Sequence, residues 1–199
     1  MKNVLTYQIY IDLASIQKSI NECYESDLPL IPIGFFENIE SKIVEEMQES
    51  SLSNFRLVPR GCFMYVPEIG YEYKTMEDTD DNVIQNIKQM RNHYRAAEEI
   101  EGLYLENVHM KVYKDQTSIK GMQSKLVTQA MDHAMHDNYD ILFLVADDNE
   151  FVPLIKELRT AENLKYTYHV GFKSDQLRSA AFGSIDLSEK VEALGLPQV

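Results

Sequence analysis

Residues 141–159, ILFLVADDNEFVPLIKELR, decide the fold. Ile141 to Ala146 are apolar at every position, the pattern of a parallel strand buried on both faces. Asp147, Asp148, Asn149 and Glu150 break the run, and Phe151 to Arg159 resume at helical spacing. The acids have a plain structural use as well. Asp148 can be a helix N-cap, or Asp147 with Glu150 a capping box. A buried strand that runs straight into a helix is half of a βαβ unit, so the rest of the chain should alternate in the same way.

It does so in both directions. Upstream, residues 119–136 place Ile119, Met122, Leu126, Ala130 and Ala134 at helical spacing, and residues 108–113 alternate as a strand. Residues 82–100 read as a long helix, 55–66 as a strand interrupted by Pro59 and Gly61, and 37–50 as a helix. Residues 3–13 form a β-branched and aromatic strand, followed by a short helix at 15–25. Downstream, 166–172 is a strand, and 175–182 and 188–194 are short helical pieces. The stretches 27–36 and 71–81 read as loops. The expectation is an α/β fold: one domain over residues 1–199, with a mostly parallel central sheet flanked by helices.

Composition narrows the function. The chain has 199 residues, 32 acids against 19 Lys and Arg, and a formal charge of −13. Seventeen of the acids fall in the first hundred residues, so there is no acidic tail, and no basic arm suits bulk electrostatic wrapping of duplex nucleic acid. Cys23 and Cys62 form neither a disulfide framework nor a metal spacing. No long apolar span and no signal-peptide core is visible, so a cytoplasmic protein with no membrane partner is expected. His133 and His136 are three apart on a helix and read as residues suited to its C-terminal dipole. Tyr71 and Tyr73 lie in a polar loop, where they are surface residues or stack on bases.

Chemistry gathers where strands end. In open α/β sheets, ligands bind beyond the carboxyl ends of the strands, at the point where strand order reverses. The first strand ends in Asp12 and the 141–146 strand in Asp147, Asp148 and Glu150. If both strands are central and parallel, these carboxylates meet at one edge, where they share a proton or bind a hard cation such as Mg²⁺.

The segments IYIDLAS, IKGMQSKLVTQAMDHAMHDNYDILFLVADDNEFVPLIKELR and HVGFKSDQLRSAAF resemble the NYN domain, a relative of PIN-domain nucleases with a Rossmann-like parallel sheet. The strongest match is LFLVADDNEFVPLIKEL, similar to the family's strand, Gly-Asp-Ser-Asp-Phe loop and helix. The Lys120-Gly121 and Gly171-Phe172 pairs match as well. The resemblance implies a metal-dependent ribonuclease acting on single-stranded or structured RNA, with Mg²⁺, or Mn²⁺ in its place. It carries Asp12, Asp148 and Glu150 over as catalytic residues. Asp12, Asp148 and Asp147 become the metal-holding acids, although Asp147 stands where the family usually has Gly. Ser15, Lys120 and Gln123 become substrate-binding residues.

The chain also departs from the family's pattern. Gln123 and Gln129 replace helix acids, Ser15 stands for an Asn, and Phe182 for a late Asp. Asp132 is nine residues beyond Gln123, half a turn round the helix, and cannot substitute. A catalytically weakened module that binds RNA or protein, alone or as a homodimer, is the alternative expectation.

Overall fold

A computed structural model describes residues 3–24, 30–49, 52–69, 81–113, 116–118, 122–160, 164–188, 190 and 192–196. The strands are β1 (Asn3–Ile11), β2 (Phe55–Ile69), β3 (Leu103–Tyr113), β4 (Gln116–Ser118), β5 (Ile141–Val145), β6 (Tyr166–Gly171) and β7 (Gly183–Asp186). The helices are α1 (Leu13–Cys23), α2 (Ile33–Glu49), α3 (Asp81–Arg95), α4 (Met122–Met135), α5 (Val152–Thr160) and α6 (Asp175–Ala180). The sheet order is β4-β3-β2-β1-β5-β6-β7. Every pairing is parallel except that of the short β4 with β3. The mostly parallel α/β architecture expected from the sequence is the one observed.

This order places the reversal of chain direction between β1 and β5. From β1 the chain moves outward through β2 and β3, then returns to lay β5 on the other side of β1. Tyr7 to Ile11 pair in register with Ile141 to Val145, and the Asp12 N–H donates to the Val145 carbonyl at 2.9 Å. The two strands are therefore zipped together up to the residue where their acids begin.

Alternation of side chains divides the core in two. Tyr7, Ile9, Ile11, Phe143 and Val145 face α1, α2 and the end of α3. Tyr10, Leu142, Leu144 and Ala146 face α4, α5 and α6. All five residues of β5 are buried, which is why the run carries no polar position.

Several boundaries differ from the sequence reading. β3 begins at Leu103, five residues early, because Leu103 to Glu106 already pair with Cys62 to Tyr65. β2 runs through Pro59 and Gly61, and the irregularity they cause appears as a register shift between Tyr7 and Ile9. Helix α2 starts at Ile33, where Phe35 and Phe36 plug the core. The predicted loop at 71–81 and part of that at 27–36 lie outside the described residues, as do Tyr71 and Tyr73. The segment 188–194 holds one short 3-10 turn, Glu192–Leu194. β7, unexpected from sequence, adds a sixth parallel strand.

Candidate functional site

A cleft of about 690 Å³ opens beyond the carboxyl ends of β1 and β5. Its floor and walls include Asp12, Ser15, Met122, Gln123, Asp147, Asp148 and Asn149. The sheet thus brings together five of the six site residues expected from the sequence that fall within the described residues, together with Asn149. Glu150 makes a sixth only by its backbone, as described below. Lys120 lies outside the described residues.

Asp12 is the buried member, 2% exposed. It stands at the turn from β1 into α1, with extended backbone and no capping hydrogen bond from its side chain. Burial pushes its carboxyl up to about 6. The Ser15 side chain and the amides of Ala14 and Ser15 draw it back down, while the neighbouring Asp148 charge adds to the rise.

Asp148 follows β5 and is the N-cap of the 3-10 turn that leads into α5. Its Oδ1 accepts from the Glu150 N–H at 2.9 Å. Its Oδ2 accepts from the Gln123 side-chain amide at 2.6 Å. Gln123 on α4, where the family's pattern has an acid, therefore acts as a donor to Asp148. Glu150 contributes that backbone N–H, but its side chain is exposed and does not line the cleft.

Asp147 has a different task. Its Oδ1 and Oδ2 accept from the Phe172 N–H at 3.1 and 2.9 Å. Oδ1 also accepts from the Lys173 and Ser174 N–H groups, both at 3.2 Å. His169 Nε2 lies 3.3 Å from Oδ1 and 2.8 Å from the Ala146 carbonyl. Both of these partners accept, so the imidazole proton sits on Nε2 and the buried Nδ1 is left without a partner. Burial pushes the Asp147 carboxyl up, but donation by His169, Phe172, Lys173 and Ser19 outweighs it and holds the group at about 2. The side chain, 2% exposed, is enclosed by donors on the protein's own backbone.

Two hydroxyls complete the framework. Ser15 Oγ accepts from the Asp147 N–H at 3.0 Å and donates to the Asp12 carbonyl at 3.3 Å, tying α1 to the β5 loop. Ser174 Oγ donates to Asn149 Oδ1 at 2.7 Å and accepts from the Leu177 N–H as the N-cap of α6. Loops from three parts of the chain are thereby locked around the cleft mouth.

Gly171 is the close approach that permits this. A Cβ there would stand 2.7 Å from His169 Nε2 and 2.9 Å from Asp147 Cγ, both inside van der Waals contact. We expect Gly171→Ala to lower stability by about 2–3 kcal/mol, read as a shift of the urea midpoint at constant slope. A change under about 0.5 kcal/mol would show that the Asp147 cradle yields freely.

The remaining expectations fall outside the cleft. Gln129 accepts from Tyr65 OH at 2.9 Å. Phe182 is exposed just before β7, at the opposite end of the sheet, its ring against Tyr166 and Tyr168. His133 Nδ1 lies 2.7 Å from Tyr10 OH and 3.0 Å from Gln8, so it joins the core, while His136 turns back to its own helix. Sequence reasoning missed Lys18, Ser19, Glu22, Lys173, Ser174, Asp175 and Gln176 as cleft residues. The only local signal was Ser174 followed three residues on by Leu177, a helix start directly after a strand.

Among the described residues, no group of three or more His, Cys, Asp or Glu side chains is arranged to hold a metal ion. No helix among them is long and apolar enough to cross a membrane.

A search of curated proteins finds no match. Among solved structures, a protein of unknown function from Vibrio parahaemolyticus superposes with a TM-score of 0.58. The match covers 92% of this chain and 93% of that one at 14% identity, which establishes likeness of fold. The profile of the NYN domain matches residues 77–188, more than half of the chain, taking in α4, the β5 loop and the Asp147 cradle. The chain belongs to the NYN domain family, a group of PIN-like nuclease domains.

Proposed function

We propose that this chain is a Mg²⁺-dependent endoribonuclease whose cation is held by Asp12 and Asp148. The observation that carries the reading is the buried Asp12 carboxyl. It stands at the strand-order reversal beside a second carboxylate, Asp148, whose charge adds to its burial in disfavouring the ionised form.

The residues suit a hard ion held lightly. Mg²⁺ retains waters and takes one or two protein carboxylates together with substrate phosphate. Two carboxylates, with the Gln123 and Asn149 amides beside them, match that habit; among the described residues no thiol or imidazole lines the cleft to suit a softer metal. When bound, the cation would neutralise charge on the scissile phosphate and lower the pKa of attacking water.

The chain's own residues do the rest. Asp148 is aimed by two donors, the Glu150 N–H and the Gln123 amide, so its orientation is set before substrate arrives. Asp12, whose buried carboxyl is pushed up to about 6 by desolvation, is the acid whose charged form a bound cation would favour most. Asp147 holds the two loops that frame the opening and takes no ligand role, since its oxygens already receive the cradle donors. Ser15 serves as a brace within the same frame rather than as a substrate contact.

A second reading, RNA binding without cleavage, draws on Gln123. An amide donor on Asp148 lowers the negative charge offered to a cation compared with a third carboxylate. One experiment separates the two. Labelled RNA incubated with protein and Mg²⁺ should be cut internally, and Asp148→Asn should reduce the rate at least ~100-fold while the protein stays folded. Retention of RNA with no cutting by either protein supports the second reading and sinks the first.

A further inference from the structure

We propose that a single RNA strand reaches the cleft between α1 and the start of α6, with its phosphates contacting Lys18 and Lys173 in exchange for Glu22. This deepens the nuclease reading and rests on it.

Charge makes the case. The cleft lining carries five carboxylates, from Asp12, Glu22, Asp147, Asp148 and Asp175, within a protein of net charge −13. A polyanion entering it is repelled everywhere except where cations stand. Among the described residues, the only cations lining the cleft are Lys18 and Lys173. They come from different elements, Lys18 from α1 and Lys173 from the loop after β6, and meet at Glu22 of α1. Both line the same cleft as Asp12 and Asp148.

Both lysines are held in a way that lets them go. Glu22 bridges them, 3.8 Å from Lys18 Nζ and 3.4 Å from Lys173 Nζ. The distances are long, and the side chains are 77%, 50% and 43% exposed for Lys18, Glu22 and Lys173. Such surface pairs contribute little. The Lys18–Glu22 pair also has the less favourable orientation for a helix, with lysine on the N-terminal side. An RNA phosphodiester brings one negative charge and two non-bridging oxygens for each lysine, whereas the two lysines share the single Glu22 carboxylate, so the weakly held pairs exchange readily. Glu22 keeps the cations extended over the cleft until RNA arrives.

The test measures binding by fluorescence anisotropy of a labelled single-stranded RNA with Mg²⁺ present, in the full chain carrying Asp148→Asn so that nothing is cut. Lys18→Glu and Lys173→Glu should each weaken binding ~5- to 10-fold and reduce the slope of log affinity against log salt by about 0.7. Glu22→Gln should tighten binding ~2- to 5-fold, since it removes the competing carboxylate. Lys156→Glu, an exposed cation on α5 outside the cleft, makes the same change in net charge and should weaken binding less than twofold. Lys18→Gln and Lys173→Gln, with unchanged circular dichroism, guard against folding effects of charge reversal. If both lysine reversals match Lys156→Glu, the strand path is overturned while the proposed chemistry stands. If the RNA is neither bound by the Asp148→Asn protein nor bound or cut by the wild type with Mg²⁺, the nuclease reading itself falls. Equal binding of duplex DNA with equal lysine dependence would overturn the single-strand assignment.

Discussion

Asp147→Ala is expected to lose about 3–5 kcal/mol of stability at pH 7, the largest single loss from any cleft residue. Three backbone N–H groups lose their acceptor at once, and the buried imidazole N–H is left with the Ala146 carbonyl alone. Each buried donor left unpaired costs about 1–3 kcal/mol, and only those near Lys173 can turn to water. Asp147→Asn should be nearly as harmful, because its NH₂ would point a donor at donors and its charge is lost. The pH dependence has a defined sign. The folded carboxyl sits at about 2, below the ordinary 3.8. Its contribution is therefore fully present above pH 4 and fades as pH falls toward 2. Urea titrations of wild type and Asp147→Ala at pH 7 and pH 3 measure this directly. The gap should narrow by about 1 kcal/mol at the lower pH, and a variant within 1 kcal/mol of wild type at pH 7 would remove the cradle from the account.

That result bears on what can be read from a sequence. The strand-end acids were legible because an unbroken apolar run such as Ile141 to Ala146 has few uses other than a central strand. Once two such strands are parallel neighbours, Asp12 and Asp148 must share an edge. The division of labour among the acids was not legible. Asp147 and Asp148 are adjacent and chemically identical, yet one turns into the amides of residues 172–174 and the other toward Gln123. Backbone donors carry no side-chain signature, and these lie at least 25 residues downstream. Only Gly171 betrays them, and a lone glycine has many other causes. The placement of Glu150 was not legible for the opposite reason. It sits in the acidic loop by sequence, but the 3-10 turn after Asp148 swings its side chain outward. The wall of the cleft was missed because it joins Glu22 to Lys173, a pairing 151 residues apart that local spacing does not encode.

Asp12→Asn should do the reverse of Asp147→Ala: it should stabilise the metal-free protein at neutral pH while abolishing RNA cleavage. Asp12 is 2% exposed and its carboxyl is pushed up to about 6 from 3.8. Keeping it ionised at pH 7.5 in the folded state costs about 3 kcal/mol relative to the unfolded chain. The sign follows from proton counts. Between about pH 4 and pH 6 the folded state binds more protons at this site, so stability falls as pH rises through that window. The cost is complete above pH 6 and absent below pH 4. An asparagine amide of the same shape avoids the charge but still buries a polar group, so the net gain at pH 7.5 is about 1–3 kcal/mol. In EDTA, urea midpoints should favour Asp12→Asn at pH 7.5 and converge with wild type near pH 4. Taking the difference between the two proteins cancels every other titrating group that the substitution leaves undisturbed. Mg²⁺ should then raise the wild-type midpoint at pH 7.5 and leave that of Asp12→Asn where it was, because ligand binding to the folded state alone adds to its stability. The reasoning places an energetic cost at the position where the proposed chemistry needs a cation: a carboxylate held out of water, destabilising until a positive ion joins it. If Asp12→Asn is destabilised equally at both pH values, or gains as much from Mg²⁺ as wild type does, Asp12 is only a helix-start residue and the ion, if there is one, lies elsewhere.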